Sequence, residues 1–229
     1  MKKHYPWLWF DADGTLFDYN RAEHTALRES LHLQGLPFDD NYLELYQGIN
    51  QKLWAALERG EIKPDVLRVK RFDLFLEAIQ RTGSPEALSE TYIQQLGLCT
   101  DLIDGALEVL TALRKTSRFA LITNGLSVVQ RSRLARSQIK DFFEAVIISE
   151  EIGAAKPHAA FFETAFARTG NPLKGDVLVI GDSLSSDMRG GADYGLDTCW
   201  FNPNGEAKPT MFKVTYEIRE LKELLDLID

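Results

Sequence analysis

The stretch Trp7-Leu8-Trp9-Phe10-Asp11-Ala12-Asp13-Gly14-Thr15 decides how the rest of the chain is read. Four large apolar residues run into two carboxylates one residue apart, and then into a glycine. An apolar run closed by a turn signal predicts a strand buried on both faces of an α/β sheet. In such sheets ligands bind beyond the carboxyl ends of the strands, which is where Asp11 and Asp13 fall. A carboxylate held there is costly unless a cation or a hydrogen-bond donor meets it. The pair therefore predicts a charged partner.

Downstream, the pattern changes period. From about Asn20 to Leu98 the sequence predicts helix after helix and no strand of any length. Arg21 to Leu33 is the first, closed by Gly35 and Pro37. The second starts at Asp39 or Asp40, both good N-caps, and carries Tyr42, Leu45, Ile49, Leu53 and Leu57 at helical spacing. Pro64 opens a third, with Phe72, Phe75, Leu76 and Ile79 on one side, and Ser84-Pro85 opens a fourth. From Asp104 onward strand and helix alternate. Helices are predicted at Ala106–Lys115, Leu126–Ser137, Pro157–Thr169, Met188–Tyr194 and Glu220–Ile228. Strands are predicted at Phe119–Ile122, Ala145–Ile148, Asp176–Ile180 and Asp197–Phe201, with an edge strand at Val214–Ile218. Repeated strand–helix units imply a doubly wound parallel sheet covered on both faces. The expected organisation is an α/β, Rossmann-like core formed by residues 1–18 and 100–229, with an α-helical cap at 19–99 inserted after the first strand.

Composition narrows the partners. The 229 residues are 45% hydrophobic and 26% charged, enough for one core with a smaller inserted domain. Lys plus Arg number 26 against 34 Asp plus Glu, a net charge of −8. With no basic stripe, no nucleic-acid polymer is expected as partner. A small anion can still be bound if a divalent cation and a lysine supply local positive charge. Cys99 and Cys199 lack metal-ligand spacing and predict reduced thiols in a cytoplasmic protein. The apolar stretch after Pro6 is broken at Asp11, too short for a signal peptide or a membrane span, so no membrane partner is expected.

Four polar clusters share one structural position. Asp11 and Asp13 follow the first strand, and Thr123 and Asn124 follow the second. Lys156 lies after the third, in Gly153-Ala154-Ala155-Lys156-Pro157, and Asp182 and Asp187 follow the fourth. Strands of a parallel sheet all end on the same side, so the clusters can converge on one crevice. The chemistry such a set suits is phosphoryl transfer. Asp182 with one of the first carboxylates offers hard oxygen ligands for Mg²⁺. One carboxylate can attack phosphorus to form an aspartyl-phosphate, and the other can protonate the leaving oxygen and then activate water. Thr123, backbone N–H groups and Lys156 can stabilise charge on the equatorial oxygens.

These residues resemble the haloacid dehalogenase (HAD) superfamily of aspartate-nucleophile phosphohydrolases. DxDGT at Asp11–Thr15, the strand-terminal Thr123, Lys156 before Pro157, and GDSxxxD from Gly181 to Asp187 match its four motifs in order, across the whole catalytic domain. The resemblance implies Asp11 as nucleophile and Asp13 as general acid/base. It implies Mg²⁺ held by Asp11, the Asp13 carbonyl and Asp182, with Asp187 in support. Thr123, Asn124 through its backbone, and Lys156 would bind the phosphoryl group. A helical insert after the first strand resembles the C1 cap class, which would open for substrate and close to exclude water.

A closer similarity is to bacterial pyrimidine 5′-nucleotidases. It rests on Phe10-Asp11-Ala12-Asp13, Asn50-Gln51-Lys52-Leu53-Trp54, Ile148-Ser149-Glu150-Glu151-Ile152-Gly153 and Gly195-Leu196-Asp197-Thr198-Cys199-Trp200. Gly14 stands where that group tends to carry Glu. The expected activity is Mg²⁺-dependent hydrolysis of a small phosphomonoester, a pyrimidine nucleoside 5′-monophosphate, with Asn50, Lys52 and Trp54 as candidates for substrate selectivity.

Several other readings compete. A phosphoglycolate or sugar-phosphate phosphatase would share every catalytic residue. A phosphosugar mutase would return the phosphoryl group to a bound sugar. A haloacid dehalogenase needs neither Asp13 nor Asp182, and a non-catalytic binding module would be expected to lack the nucleophile or a metal ligand. His24, His32 and His158 show no zinc spacing. Trp54, Phe72 and Phe75 suit a helical core, and Arg131, Arg133 and Arg136 suit a solvated helix face.

Overall fold

The computed structural model describes residues 2–208 and 210–229. Strand β1 (Trp7–Phe10) is the centre of a six-stranded sheet, ordered β3-β2-β1-β4-β5-β6. Its neighbours are β2 (Arg118–Thr123) and β4 (Val177–Gly181), both parallel to it. β3 (Ala145–Ile148) extends one side, and β5 (Asp197–Phe201) and β6 (Tyr216–Ile218) extend the other, again all parallel. The strand order reverses at β1. The chain runs outward through β2 and β3, then returns past β1 to build β4, β5 and β6. Such a reversal opens a crevice at the carboxyl ends of the strands on either side of it.

β1 shows why this strand is central. All four of its residues are buried, and successive side chains point to opposite faces. Leu8 and Phe10 join one core with Leu121, Leu178, Ile180 and the buried side of helix α5 (Ala106–Leu113). Trp7 and Trp9 join the other with Ile122, Val179 and Phe161, Phe162 and Phe166 of α8 (Ala159–Arg168). Trp9 meets Phe166 edge-to-face at 5.0 Å between centroids. The unbroken apolar run is thus the signature of a strand covered by helices on both sides.

The chain divides into two compact units. One holds the chain up to Tyr19, Thr100–Ser127 and Leu134–Asp229; the other holds Asn20–Cys99 and Val128–Arg133. The first is the sheet and its helices. At its two crossing points Phe17 bridges to Leu102, and the Asp18 N–H donates to the Asp101 carbonyl at 3.0 Å.

The second unit is built on four helices. These are α1 (Tyr19–Leu33), α2 (Asp40–Glu58), α3 (Pro64–Ala78) and α4 (Pro85–Leu98). The starts obey capping chemistry: Asp39 accepts from the Asn41 N–H, Ser84 accepts from the Ala87 N–H, and Pro64 and Pro85 occupy first positions. Tyr46, Phe72, Phe75 and Tyr92 form its aromatic interior, with the Arg71 guanidinium over the Phe72 and Tyr92 rings. Phe72 and Phe75 are fully buried, while Trp54 is half-buried.

Several local expectations are corrected. Pro157 does not open α8, which begins at Ala159; Pro157 stays in the loop, joined to Lys156 by a cis peptide bond. The last predicted helix is a short 3-10 turn, Leu221–Glu223, followed by a single helical turn, Leu224–Leu227. A single-turn helix, α7 (Ser149–Ile152), follows β3 where none was expected. Arg133 is not on a solvated face. It is fully buried on α6 (Ser127–Arg136), and its Nε donates to the Cys99 carbonyl at 2.9 Å. Periodicity assigned its helix correctly but could not show a carbonyl partner 34 positions away.

Phe10 is fully buried at the sheet centre and meets Phe119 edge-to-face. Phe10→Ala is expected to cost about 3–5 kcal/mol of unfolding free energy, read as a lowered urea midpoint. A loss below about 1 kcal/mol would refute the central packing assigned to β1.

Candidate active site

The first functional loop follows directly from β1. The Asp11 N–H still donates a ladder bond to the Ile180 carbonyl at 2.8 Å. The chain then turns sharply. The N–H groups of Leu16 and Phe17 both bond to the Ala12 carbonyl, and the Gly14 N–H bonds to Phe17. Gly14 has φ +81°, a conformation open to glycine at little cost. A Cβ at Gly14 would also fall 2.5 Å from Asp182 Oδ2. The glycine after the two carboxylates thus lets the β1 and β4 loops approach closely.

Lys156 is the centre of the site. Its ammonium, 1% exposed, donates to Asp11 Oδ1 at 2.5 Å, Asp187 Oδ1 at 2.6 Å and the Ile122 carbonyl at 2.8 Å. Those three acceptors satisfy the three donors of a lysine. The main chain of Lys156 is gripped as well. The Asn124 Nδ2 donates to its carbonyl and its N–H donates to Asn124 Oδ1, both at 2.9 Å. Asn124 therefore ties the loop after β2 to the loop after β3 through its side chain. Thr123, at the end of β2, is buried; its Oγ1 accepts from the Gly125 N–H at 3.0 Å, which leaves its own O–H as a donor.

Beyond β4 the chain enters a single π-helical turn, Leu184–Met188, capped by the Ser183 hydroxyl on the Ser186 N–H. The turn carries Asp187 back toward the sheet, where it is fully buried. A Cβ at Gly181 would lie 2.4 Å from the Asp187 carboxyl carbon, so this strand end also has to be glycine. Carboxylate oxygens of Asp11, Asp182 and Asp187 all lie within 4.8 Å of one another. Thr15 Oγ1 donates to Asp182 Oδ1 at 3.3 Å.

The electrostatics follow from burial. Desolvation pushes Asp11 well above the usual carboxylate range; Lys156 opposes this, and Asp187 and Asp182 add to it. Desolvation, helped by Asp187, pushes Asp182 up to about 7. Desolvation works against the Lys156 ammonium, but Asp11 and Asp187 outweigh it and hold it protonated. Three carboxylates face one ammonium, a deficit of two positive charges, and all the oxygens are hard donors. Such a set suits a divalent cation such as Mg²⁺.

Of the sequence-predicted residues, the structure brings together Asp11, Asp182, Asp187, Lys156, Asn124 and Thr123 around one switch point. The Asp13 side chain is half-buried in the turn after β1 and is not part of the three-carboxylate cluster. In the helical unit Asn50 is buried within a polar network. It donates to Glu23, which also accepts from Gln47, and it accepts from Arg71 at 3.5 Å. Lys52 is exposed. Sequence reasoning missed the side-chain role of Asn124 and the buried Glu23. Neither carries a local signal, because each acquires its partners from distant helices or loops.

Comparison with known proteins agrees with this geometry. The family of haloacid dehalogenase-like hydrolases matches residues 7–195. The chain belongs to the haloacid dehalogenase-like hydrolases. It is similar to the pyrimidine 5′-nucleotidase YjjG of Escherichia coli, 35% identical over 223 residues that span 97% of each chain. It is also similar to the pyrimidine 5′-nucleotidase PynA of Streptococcus pneumoniae, 34% identical over 98% of this chain and 95% of the relative. A crystal structure of the HAD-hydrolase YfnB from Bacillus subtilis, bound to magnesium, superposes with a TM-score of 0.94 at 35% identity, covering 99% of this chain and 100% of the other. The α/β fold is thus that of a HAD-like hydrolase. Among the described residues no helix is long and apolar enough to cross a membrane.

The raised Asp182 fixes the sign of a pH effect. Between its ordinary value of 3.8 and about 7 the folded protein holds a proton that the unfolded chain has released. Stability from this group is therefore lost as pH rises through that window. In EDTA, Asp182→Asn should gain stability relative to the parent as pH rises from about 4 to about 7. Thermal melts in a pH series check this; a Tm difference constant across the window, or one that moves the other way, would contradict a raised Asp182.

Proposed function

We propose that this hydrolase is a Mg²⁺-dependent phosphomonoesterase acting through a phosphoaspartate at Asp11, with pyrimidine nucleoside 5′-monophosphates as preferred substrates. The observation that carries the chemistry is the buried Lys156 ammonium shared by Asp11 and Asp187 at the switch point of the sheet. The two relatives named as pyrimidine 5′-nucleotidases support the substrate class.

Asp11 is held for attack. Lys156 engages Oδ1, so Oδ2 is the oxygen to meet phosphorus. In the first step the Asp11 carboxylate forms a bond to phosphorus while the ester P–O bond breaks. The departing nucleoside oxygen takes the proton of the Asp13 carboxyl. In the second step Asp13, now ionised, removes a proton from water as that water attacks the phosphoaspartate. Inorganic phosphate leaves and the Asp11 carboxylate returns. Thr123 O–H and the Asn124 N–H donate to the equatorial oxygens, where charge collects, and the positive charge of the Lys156 ammonium beside Asp11 stabilises them. Asp11, the Asp13 carbonyl and Asp182 would hold Mg²⁺, with Asp187 in support. Bound there, the cation supplies the missing positive charge and shields Asp11 from the phosphate it attacks. Asn50, Lys52 and Trp54 are the cap residues assigned to selectivity. Asn50 is suited to act within its Glu23–Arg71 network, by shaping the cap.

Three outcomes test this. Asp11→Asn is expected to lower phosphate release by about 10³-fold or more while circular dichroism stays native. Wild-type turnover in that variant would refute the phosphoaspartate route. Asp13→Asn should lose about 10²–10⁴-fold in kcat, as expected for loss of a general acid. A phosphate-release panel of UMP, dUMP, dTMP, purine monophosphates, phosphoglycolate and hexose phosphates, with and without Mg²⁺, decides the substrate class. Preference for a sugar phosphate or phosphoglycolate would retain the chemistry and overturn the nucleotidase assignment.

A further inference from the structure

The stretch Gly195-Leu196-Asp197-Thr198-Cys199-Trp200 ends in a side chain with no part in the steps above. Trp200 is the fourth residue of β5 and pairs with Gly181, the last residue of β4. It is 2% exposed, and its ring packs in the core that includes Val179, Met188 and Leu196. Its indole Nε1 donates to the main-chain carbonyl of Asp182 at 2.9 Å. That carbonyl lies one residue beyond the last β4–β5 pair. The indole takes the place of the ladder donor that the strand no longer provides.

We propose that Trp200 is a positioning residue for Asp182, and that its indole N–H sets the affinity of the site for Mg²⁺. The inference rests on the assignment of Asp182 as a metal ligand.

The argument is geometric. Three features restrain Asp182. A side chain is missing at Gly14, where a Cβ would stand 2.5 Å from Oδ2. Thr15 donates to Oδ1. Trp200 holds the peptide carbonyl. The first two act on the carboxylate, and only the third acts on the backbone from which it projects. Turning that peptide plane swings the whole carboxylate relative to Asp11 and Asp187. A group that restrains a ligand from behind commonly changes metal affinity by about 10–100-fold. Tryptophan suits the position because it is apolar enough for the core and carries one N–H donor, with no acceptor to satisfy.

Trp200→Phe retains an aromatic ring and deletes the donor. Two readouts separate its effects. The melting temperature in EDTA reports the lost packing. The Mg²⁺ dissociation constant by calorimetry, and the Tm increment on adding Mg²⁺, report the positioning. The Mg²⁺ dissociation constant is expected to rise about tenfold, and the Mg²⁺-dependent Tm increment is expected to shrink. Should the phenylalanine variant fold poorly, replacing Trp200 with 3-benzothienylalanine retains the bicyclic shape and puts sulfur in place of the N–H. The same weakening is expected. An unchanged Mg²⁺ affinity in a folded donor-less variant would overturn the proposal. Asp182→Asn is the accompanying control. If it abolishes Mg²⁺ binding and the Trp200 variants bind as wild type, the role of Trp200 alone is refuted. If it binds Mg²⁺ as tightly as wild type, the ligand assignment fails and the inference fails with it.

Discussion

A single ammonium group holds the catalytic end of this protein together. Lys156 Nζ is buried and meets a carboxylate from the loop after β1, a carboxylate from the turn after β4 and the carbonyl of Ile122 in β2. Its own backbone is clamped by Asn124 from the loop after β2. Three segments separated in sequence thus converge on one lysine. Breaking a buried ion pair by removing one partner typically costs about 3–5 kcal/mol, because the remaining charge is stranded. The same group that would bind the phosphoryl oxygens is therefore also a structural tie.

That tie works only because the sheet delivers its partners to one point. The strand order reverses at β1, so β2 and β4 flank it and all three end at the same edge. The parallel register aligns Phe10 with Leu121 and with Ile180. Chain segments beyond those residues emerge side by side. Glycines at 14 and 181 then allow closer approach than any side chain would permit, since Asp182 and Asp187 occupy the space that a Cβ would need. The apolar run of β1 and the charges that follow it are consequently two halves of one device. Burial on both faces immobilises the strand, and the immobile strand end fixes the carboxylate.

Electrostatics complete the argument. Three carboxylates converge on one lysine, and burial raises Asp11 and Asp182 above their usual range. Without a further cation, burial and mutual repulsion favour the protonated carboxyls. A divalent cation would relieve that imbalance. The helical unit meets its buried carboxylate with amides. Glu23 is satisfied there by the amides of Gln47 and Asn50, while the Arg71 guanidinium lies over two aromatic rings.

Most of the elements, and the polar residue types at the strand ends, were legible in local signals. The unbroken apolar run of Trp7–Phe10, the caps Asp39 and Ser84, and the prolines at 64 and 85 are local signals, and local structure obeyed them. The order of Asp11, Thr123, Lys156 and Asp182, each following a strand, likewise marked one crevice before any geometry was known. What those residues touch was set by packing between distant segments. Arg133 turned out buried, Asn50 was taken into a network with Glu23 and Arg71, Asn124 used its side chain on Lys156, and Trp200 reached Asp182 from the next strand. Each of these contacts joins residues 18 or more positions apart, so no periodicity or motif encodes them. They arise when packing brings distant polar groups into a space without water, where each must find a partner.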